Sequence, residues 1–253
     1  MTATDTIASR RRLEWQLAEV RDVLTETYRV KSLLLQLAQP LGHLPGQHVD
    51  VRLTADDGYQ AQRSYSISSA PEDKRLSLTV ERVADGEVSP YLVDELRVGD
   101  KLQLRGPIGG HFVWTSDTNH PLYLIAGGVG VTPLMAMLRH RDKAPCQVPA
   151  LLIYSARSLG DVVYRDELDA MARRDGNFSI IYALTREQPE GWHGHRGRID
   201  KRLLAATCFP ASRRPTIYVC GPSSFVENVS GFLVELGFDA SRIKTERFGP
   251  SKG

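Results

Sequence analysis

Arg63-Ser-Tyr-Ser-Ile-Ser-Ser69 sets one cation, one aromatic ring and four serine hydroxyls into a short extended segment. Strand alternation puts Arg63, Tyr65, Ile67 and Ser69 on one side and Ser64, Ser66 and Ser68 on the other, unless a twist or bulge intervenes. A strand facing a core has no need of such residues, so the segment is either a polar edge strand with an exposed arginine or part of a binding site. A second stretch, Leu122-Tyr-Leu-Ile-Ala-Gly-Gly-Val-Gly-Val-Thr-Pro-Leu-Met-Ala-Met-Leu138, runs from apolar residues through a glycine cluster into helical spacing. Gly127, Gly128 and Gly130 let the backbone take positive φ and let a ligand approach without meeting Cβ atoms. Thr132 and Pro133 read as N-cap and first helical residue, since proline has no N–H to leave unsatisfied and its φ is already helical. The helix start then presents free N–H groups and a positive dipole end, which suit a phosphate-bearing ligand. The usual dinucleotide fingerprint is broken, because Pro133 stands where a third glycine would be. A plain strand-to-helix turn is the alternative.

Composition narrows the classes of partner. Across 253 residues, 32 Lys and Arg nearly balance 30 Asp and Glu, and the net charge of +2 gives no electrostatic case for nucleic acid or a membrane surface. Cys146, Cys208 and Cys220 form no C-x-x-C pair and no even set, which argues against a disulfide framework, a zinc site or a four-cysteine iron–sulfur centre and fits a reducing cytoplasm. Trp192-His-Gly-His-Arg-Gly-Arg198 is rich in donors but reads as a loop rather than a metal pair, so no metal site is expected. Ser9-Arg-Arg-Arg-Leu13 lacks the apolar region of an export signal, residues 1–10 read as a flexible tail, and no apolar run approaches membrane-spanning length.

The elements that must hold these residues fall into two kinds. From about Leu13 to Val113, short alternating runs such as His48-Val-Asp-Val-Arg-Leu53 and Leu76-Ser-Leu-Thr-Val-Glu-Arg82 are separated by Gly and Pro, as in a small antiparallel β-barrel. Ser89-Pro90 supplies a cap and first turn for one helix, Tyr91 to Leu96. After Pro121, nearly continuous apolar strands alternate with helices, as in a parallel α/β sheet covered on both faces. The strands are Leu122–Ala126, Ala150–Ser155, Phe178–Leu184, Thr216–Cys220 and Arg242–Phe248, with helices near 132–141, 161–174, 199–206 and 222–236. A ligand belongs at the carboxyl ends of such strands, where Gly127 to Thr132, Ser155 to Arg157, Thr185-Arg186 and Cys220-Gly-Pro222 lie. The expected division is a barrel domain over 11–117 and an α/β domain over 118–253, joined by the polar link Asp117 to His120.

Arg63-x-Tyr65-Ser66-x-x-Ser69, the glycine turn with Thr-Pro, Cys220-Gly221-Pro222 and the terminal Glu246-Arg-Phe248-Gly occur in one order over roughly residues 12 to 250. In this the chain resembles the ferredoxin–NADP reductase superfamily of flavoproteins. The resemblance implies a flavin between the domains, FAD rather than FMN, and a nicotinamide nucleotide on the second domain. By the same resemblance Arg63 would pair with the flavin pyrophosphate, with Ser64 beside it. Tyr65 would stack on the ring, and Ser66 would bond near N5. Val80, Glu81 and Arg82 would lie along the ribityl chain, while Gly86, Val88 and Ser89 would close on the pyrophosphate. Gly128, Gly130, Val131 and Thr132 would hold the nucleotide, with Gly221 and Pro222 beside it. Cys220 would lie near nicotinamide C4, Phe248 would cover the flavin's other face, and Glu246 would act as a polar or proton-relaying group. Ser155 and Arg157, assisted by Arg165, offer a hydroxyl and cations where a NAD site usually places an acid, which favours NADPH over NADH.

These expectations make the chain an enzyme that passes hydride from NAD(P)H to FAD and electrons onward to a separate iron–sulfur, haem or other metal-centred protein. Three cysteines, fewer than the four ligands of such a cluster, and the short segments beyond the two domains are expected to leave no room for an internal iron–sulfur relay. A reductase of diffusible acceptors such as quinone or free flavin, and a non-catalytic nucleotide-binding subunit, are the competing readings.

Overall fold

The computed structural model describes residues 13–144 and 148–248. The expected N-terminal tail, Cys146 and Gly249 lie outside the described residues. Strands β1 (Trp15–Thr27), β2 (Val30–Leu37), β3 (His48–Thr54), β4 (Gln60–Ser66), β5 (Leu76–Glu81) and β6 (Lys101–Ile108) form one antiparallel sheet in the order β4-β3-β6-β1-β2-β5. Alternation turns Val49 and Val51 of β3, Leu76, Leu78 and Val80 of β5, and Leu102 and Leu104 of β6 into a single core. Ile67 bridges to Leu78, and the Ser68 N–H donates to the Ser77 carbonyl at 2.9 Å, so the last strand meets the first and the sheet closes into a barrel.

Two local expectations change. The alternation of residues 63–69 stops at Ser66, where β4 ends; Ile67, Ser68 and Ser69 are all buried because the chain there crosses the barrel seam. Residues Tyr91–Glu95 form one wide helical turn, but Ser89 does not cap it. Its Oγ accepts from the Val83 N–H at 3.1 Å and so closes the 83–89 loop.

The second half runs β7 (Leu122–Gly127), α1 (Val131–Lys143), β8 (Ala150–Ala156), α2 (Arg165–Arg174), β9 (Phe178–Leu184), β10 (His195–Arg196), α3 (Lys201–Thr207), β11 (Thr216–Pro222), α4 (Ser223–Glu235) and β12 (Ile243–Phe248). Its sheet is parallel throughout, in the order β10-β9-β8-β7-β11-β12. Leu122, Leu124 and Ala126 face the core under α1 and α2, and Tyr123 and Ile125 face the core under α3 and α4, so both faces are covered. The donor-rich loop folds on itself, with Trp192 Nε1 donating to the His195 carbonyl at 3.2 Å, and its residues His195–Arg196 add an edge strand that sequence reading missed.

Thr132 is not the helix N-cap. Gly128–Gly130 wind into a 3₁₀ turn, so α1 begins at Val131 and the last extended residue is Gly127, at φ −116°. Thr132 lies inside the first turn, and its hydroxyl donates to the Val129 carbonyl at 2.8 Å.

The halves share a core. Val30, Phe112 and Trp114 pack with the residues under α1 and α2, and the Tyr218 hydroxyl donates to the Val113 carbonyl at 2.6 Å. No helix among the described residues is long and apolar enough to cross a membrane.

Candidate active site

The two halves enclose one open cleft of about 850 Å³, lined from both sides. That is towards the upper end of the range for ligand pockets, about 300–1,000 Å³. From the barrel it is lined by Arg63, Ser64, Tyr65 and Ser66 of β4, by Glu81 of β5, and by Gly86, Val88 and Ser89 of the following loop. From the α/β half come Gly128, Thr132, Ser155, Arg157, Pro222 and Phe248. These residues are far apart in the chain and meet because the seam of the barrel faces the carboxyl ends of the parallel strands.

Several candidate residues are not brought to the cleft wall. Alternation along β5 points Val80 into the barrel core and leaves Thr79 and Glu81 facing the cleft. Arg82 turns away to pair with Asp94 at 2.6 Å. Arg165 is exposed at the start of α2, 3.7 Å from Asp166. Val131 is core, and a Cβ on Gly130 would lie 2.3 Å from the Cys220 carbonyl oxygen, so that glycine serves close packing of the helix start on β11. Cys220 itself is fully buried, and Gly221 packs on Gly127 and on the Phe225 ring.

Sequence reading missed Thr79, Glu87, Asp161, Val163 and Phe225, all of which line the cleft, whereas Thr185, expected at a strand's carboxyl end, lines it too. The period-two pattern of β5 signals Thr79. Phe225 is signalled by two glycines, Gly127 and Gly221, whose Cβ positions would both fall within about 3 Å of its ring.

The loop chemistry fits a phosphate-bearing group. A Cβ on Gly86 would meet Ser89 Oγ at 2.9 Å and the Val83 carbonyl at 3.2 Å, so only glycine lets this loop fold so tightly beside Arg63. Arg63 itself donates to Glu87 Oε2 at 2.9 Å, and Tyr59 donates to the other Glu87 oxygen at 2.8 Å. Across the cleft Gly128 has φ +56° and open space where a Cβ would be, beside the first turn of α1. Arg157 is exposed at the end of β8 and makes no ion pair among the described residues, while Asp161, four positions on, also lines the cleft and accepts from Ser158 Oγ at 2.7 Å.

Ser66 Oγ donates to Glu246 Oε1 at 3.3 Å and so joins the barrel to β12. Burial pushes the Glu246 carboxyl up to about 7, and the Ser66 hydrogen bond opposes this only in part. Burial, and then the Glu246 carboxylate, push the Cys220 thiol well above its ordinary value. The unfolded chain ionises Glu246 near 4.5 and the native chain near 7, so between these values the native state holds more protons and stability falls as pH rises. The expected contribution is roughly 3 kcal/mol, fully present below pH 4.5 and lost above 7. Glu246→Gln should flatten this fall in urea titrations taken at intervals across that window, and an unchanged slope would remove Glu246 as its source.

Comparison with known proteins agrees with the geometry. Residues 14–114 match the oxidoreductase FAD-binding domain model, and residues 124–231 match the oxidoreductase NAD-binding domain model. The chain is 36% identical over 233 residues to the glycine betaine monooxygenase reductase subunit of Pseudomonas aeruginosa, covering 90% of this chain and 63% of the relative. It is 30% identical to the toluate 1,2-dioxygenase electron transfer component of Pseudomonas putida, covering 93% of this chain and 67% of the relative. Among solved structures, the FAD/NAD-binding domain of nitric oxide dioxygenase from Vibrio cholerae superposes with a TM-score of 0.83 at 28% identity, covering 93% of this chain and 99% of that one. A cytochrome P450 reductase from Amycolatopsis gives 0.82 at 28% identity, covering 94% of this chain and 71% of that one. The chain thus spans about three fifths of the length of the first curated relative.

Proposed function

The chain belongs to the ferredoxin–NADP reductase superfamily of flavoproteins, and on that premise we propose that it passes hydride from a nicotinamide nucleotide to FAD and then electrons to a separate redox protein. The observation that carries this reading is a cleft with a phosphate-type donor set on each wall: Arg63 with the Gly86–Ser89 loop on the barrel, and Gly128 with the start of α1 opposite. Bound FAD supplies the chemistry, accepting electrons in a pair and releasing them singly or in pairs. Arg63 would hold its pyrophosphate with a planar fork of donors, Gly86 and Ser89 would close around it, and Tyr65 and Phe248 would bound the ring site. Ser66 Oγ and Glu246 Oε1 form a hydrogen-bonded pair that can hold and move a proton near neutral pH. Cys220, fully buried and in register with Glu246 across β11 and β12, lies behind the site and does not line the cleft.

The acceptor we propose is an iron–sulfur, haem or other metal-centred protein, in keeping with relatives named as a reductase subunit of a monooxygenase and an electron transfer component of a dioxygenase. We place the domain boundary in the polar link Asp117 to His120, and Cys208 and Cys220, unpaired among the described residues, suit a reducing cytoplasm. The test is the visible spectrum of the purified protein before and after anaerobic NADPH and NADH. Yellow absorbance that bleaches with nucleotide and returns on adding a redox-protein fraction is expected. A colourless protein would leave the non-catalytic reading standing, and reoxidation by quinone or free flavin alone would replace the protein acceptor.

Arg157 favours NADPH through its 2′-phosphate. Arg157→Ala is expected to weaken NADPH by about one to two decades, the equivalent of a charge-assisted contact of about 1.5–3 kcal/mol, with NADH within about twofold. Asp161 supports the second reading, since a carboxylate lining the cleft can take a ribose 2′-hydroxyl instead. Titration of both nucleotides decides, and a wild type that prefers NADH would assign the subsite to Asp161.

A further inference from the structure

Tyr164, the residue before α2, has φ 60° and ψ 23°, a left-handed conformation that a bulky side chain adopts only where its surroundings impose it. Its ring is buried, 4% exposed, and its hydroxyl reaches out of the α/β half to donate to Thr79 Oγ1 of β5. Thr79 Oγ1 also lies 2.8 Å from Ser32 Oγ and 3.3 Å from Ser68 Oγ, and Ser32 Oγ donates to the Glu26 carboxylate at 2.6 Å. From α1, the Arg139 guanidinium lies over the Tyr164 ring at 4.9 Å and donates to the Ser68 carbonyl at 2.8 Å. Both Glu167 oxygens hold that guanidinium, at 2.9 and 2.6 Å.

The α/β half therefore grips the barrel at its seam, beside the Ile67 to Leu78 bridge. The location matters because Thr79 on one side and Val163, next to Tyr164 in the chain, on the other both line the cleft. From this juxtaposition we infer that the Tyr164 hydroxyl is a positioning group: it sets the separation of the two cleft walls, and with it the reach of the nucleotide to the flavin. The inference rests on the proposed flavin and nucleotide reaction. A buried, fully partnered hydroxyl network is stiff, because parting its members leaves polar groups unsatisfied in a low dielectric. Transfer between two bound groups is sensitive to such slack, a displacement of about 1 Å costing on the order of a hundredfold in rate.

The test uses Tyr164→Phe, which keeps the ring and its stack on Arg139 and removes the hydroxyl, and Thr79→Val, which removes the partner at nearly constant shape. Both variants are expected to keep FAD content and NADPH affinity within about twofold of wild type. The limiting rate of flavin reduction in anaerobic stopped flow should fall about tenfold. The long-wavelength charge-transfer absorbance of the reduced protein with NADP⁺, which reports the juxtaposition of the two rings without turnover, should weaken in step. The double variant should lose no more than either single one. An unchanged limiting rate and absorbance in both variants overturns the inference, as does a rate loss fully explained by lost FAD or weaker NADPH, which would make the role structural only. Should Tyr164→Phe fail to fold, Thr79→Val decides alone. A wild type that no nucleotide reduces would remove the proposed function itself, whereas normal reduction in wild type and variants removes only the positioning role.

Discussion

Arg63→Ala is expected to purify with most of its FAD lost. Arg63 lies in the cleft wall on β4, half-exposed, with its guanidinium turned towards the loop that carries Gly86, Glu87 and Ser89. Its ion pair with Glu87 is open to solvent on both sides and contributes little to folding, so removing the side chain should leave the barrel's melting within a few degrees of wild type. The loss falls on the ligand. A charge-assisted contact with a phosphate is worth about 1.5–3 kcal/mol, or about one to two decades in dissociation constant. The Glu87 carboxylate, no longer neutralised, would add repulsion. The measurements are the ratio of flavin to protein absorbance after desalting and the dissociation constant from FAD titration of apo-protein. Wild-type occupancy and affinity in the variant would take the phosphate role away from Arg63.

Gly130→Ala should be among the most destabilising single substitutions in the α/β half, although it adds one methyl group. Gly130 has helical φ of −60°, so the backbone itself would accept alanine. The obstacle is β11, because the new Cβ would lie 2.3 Å from the Cys220 carbonyl oxygen, 2.6 Å from its carbon and 2.8 Å from the Gly221 nitrogen. Backbone atoms cannot rotate away as a side chain would, so the helix start and β11 must part. We expect a loss of about 3 kcal/mol or more, beyond the usual range for one extra methylene in a core. Gly128→Ala is the contrasting case: its Cβ meets nothing within 4 Å, and only the left-handed φ of +56° opposes it, at about 1–2 kcal/mol. Urea unfolding of the two variants should rank them in that order. The reverse ranking would mean that the turn is not packed as described.

The two glycines also mark where local reading ends. The sequence by itself determined the two kinds of fold. Period-two runs such as His48 to Leu53 can bury only one face, and continuous apolar runs such as Leu122 to Ala126 must be covered on both. It also brought out the polar segment at Arg63 and the glycine turn, because hydroxyls, a cation and clustered glycines are anomalous in a strand whatever lies opposite. It did not separate a glycine kept for ligand approach from one kept for a neighbouring strand, since that depends on residues some 90 positions away in β11. Nor did it place Ser66 against Glu246, Phe225 against Gly127 and Gly221, or Tyr164 against Thr79. All but the Phe225–Gly221 contact join elements from separate stretches of the chain, and the fold of the two halves around one cleft is what brings them into contact. Val80 and Arg82 show the same limit at short range. Their neighbourhood in sequence was right for the cleft, but the strand's pleat and the pull of Asp94 turned their side chains elsewhere. A residue's type and spacing state what it could do, and only its packing partners decide which way it points.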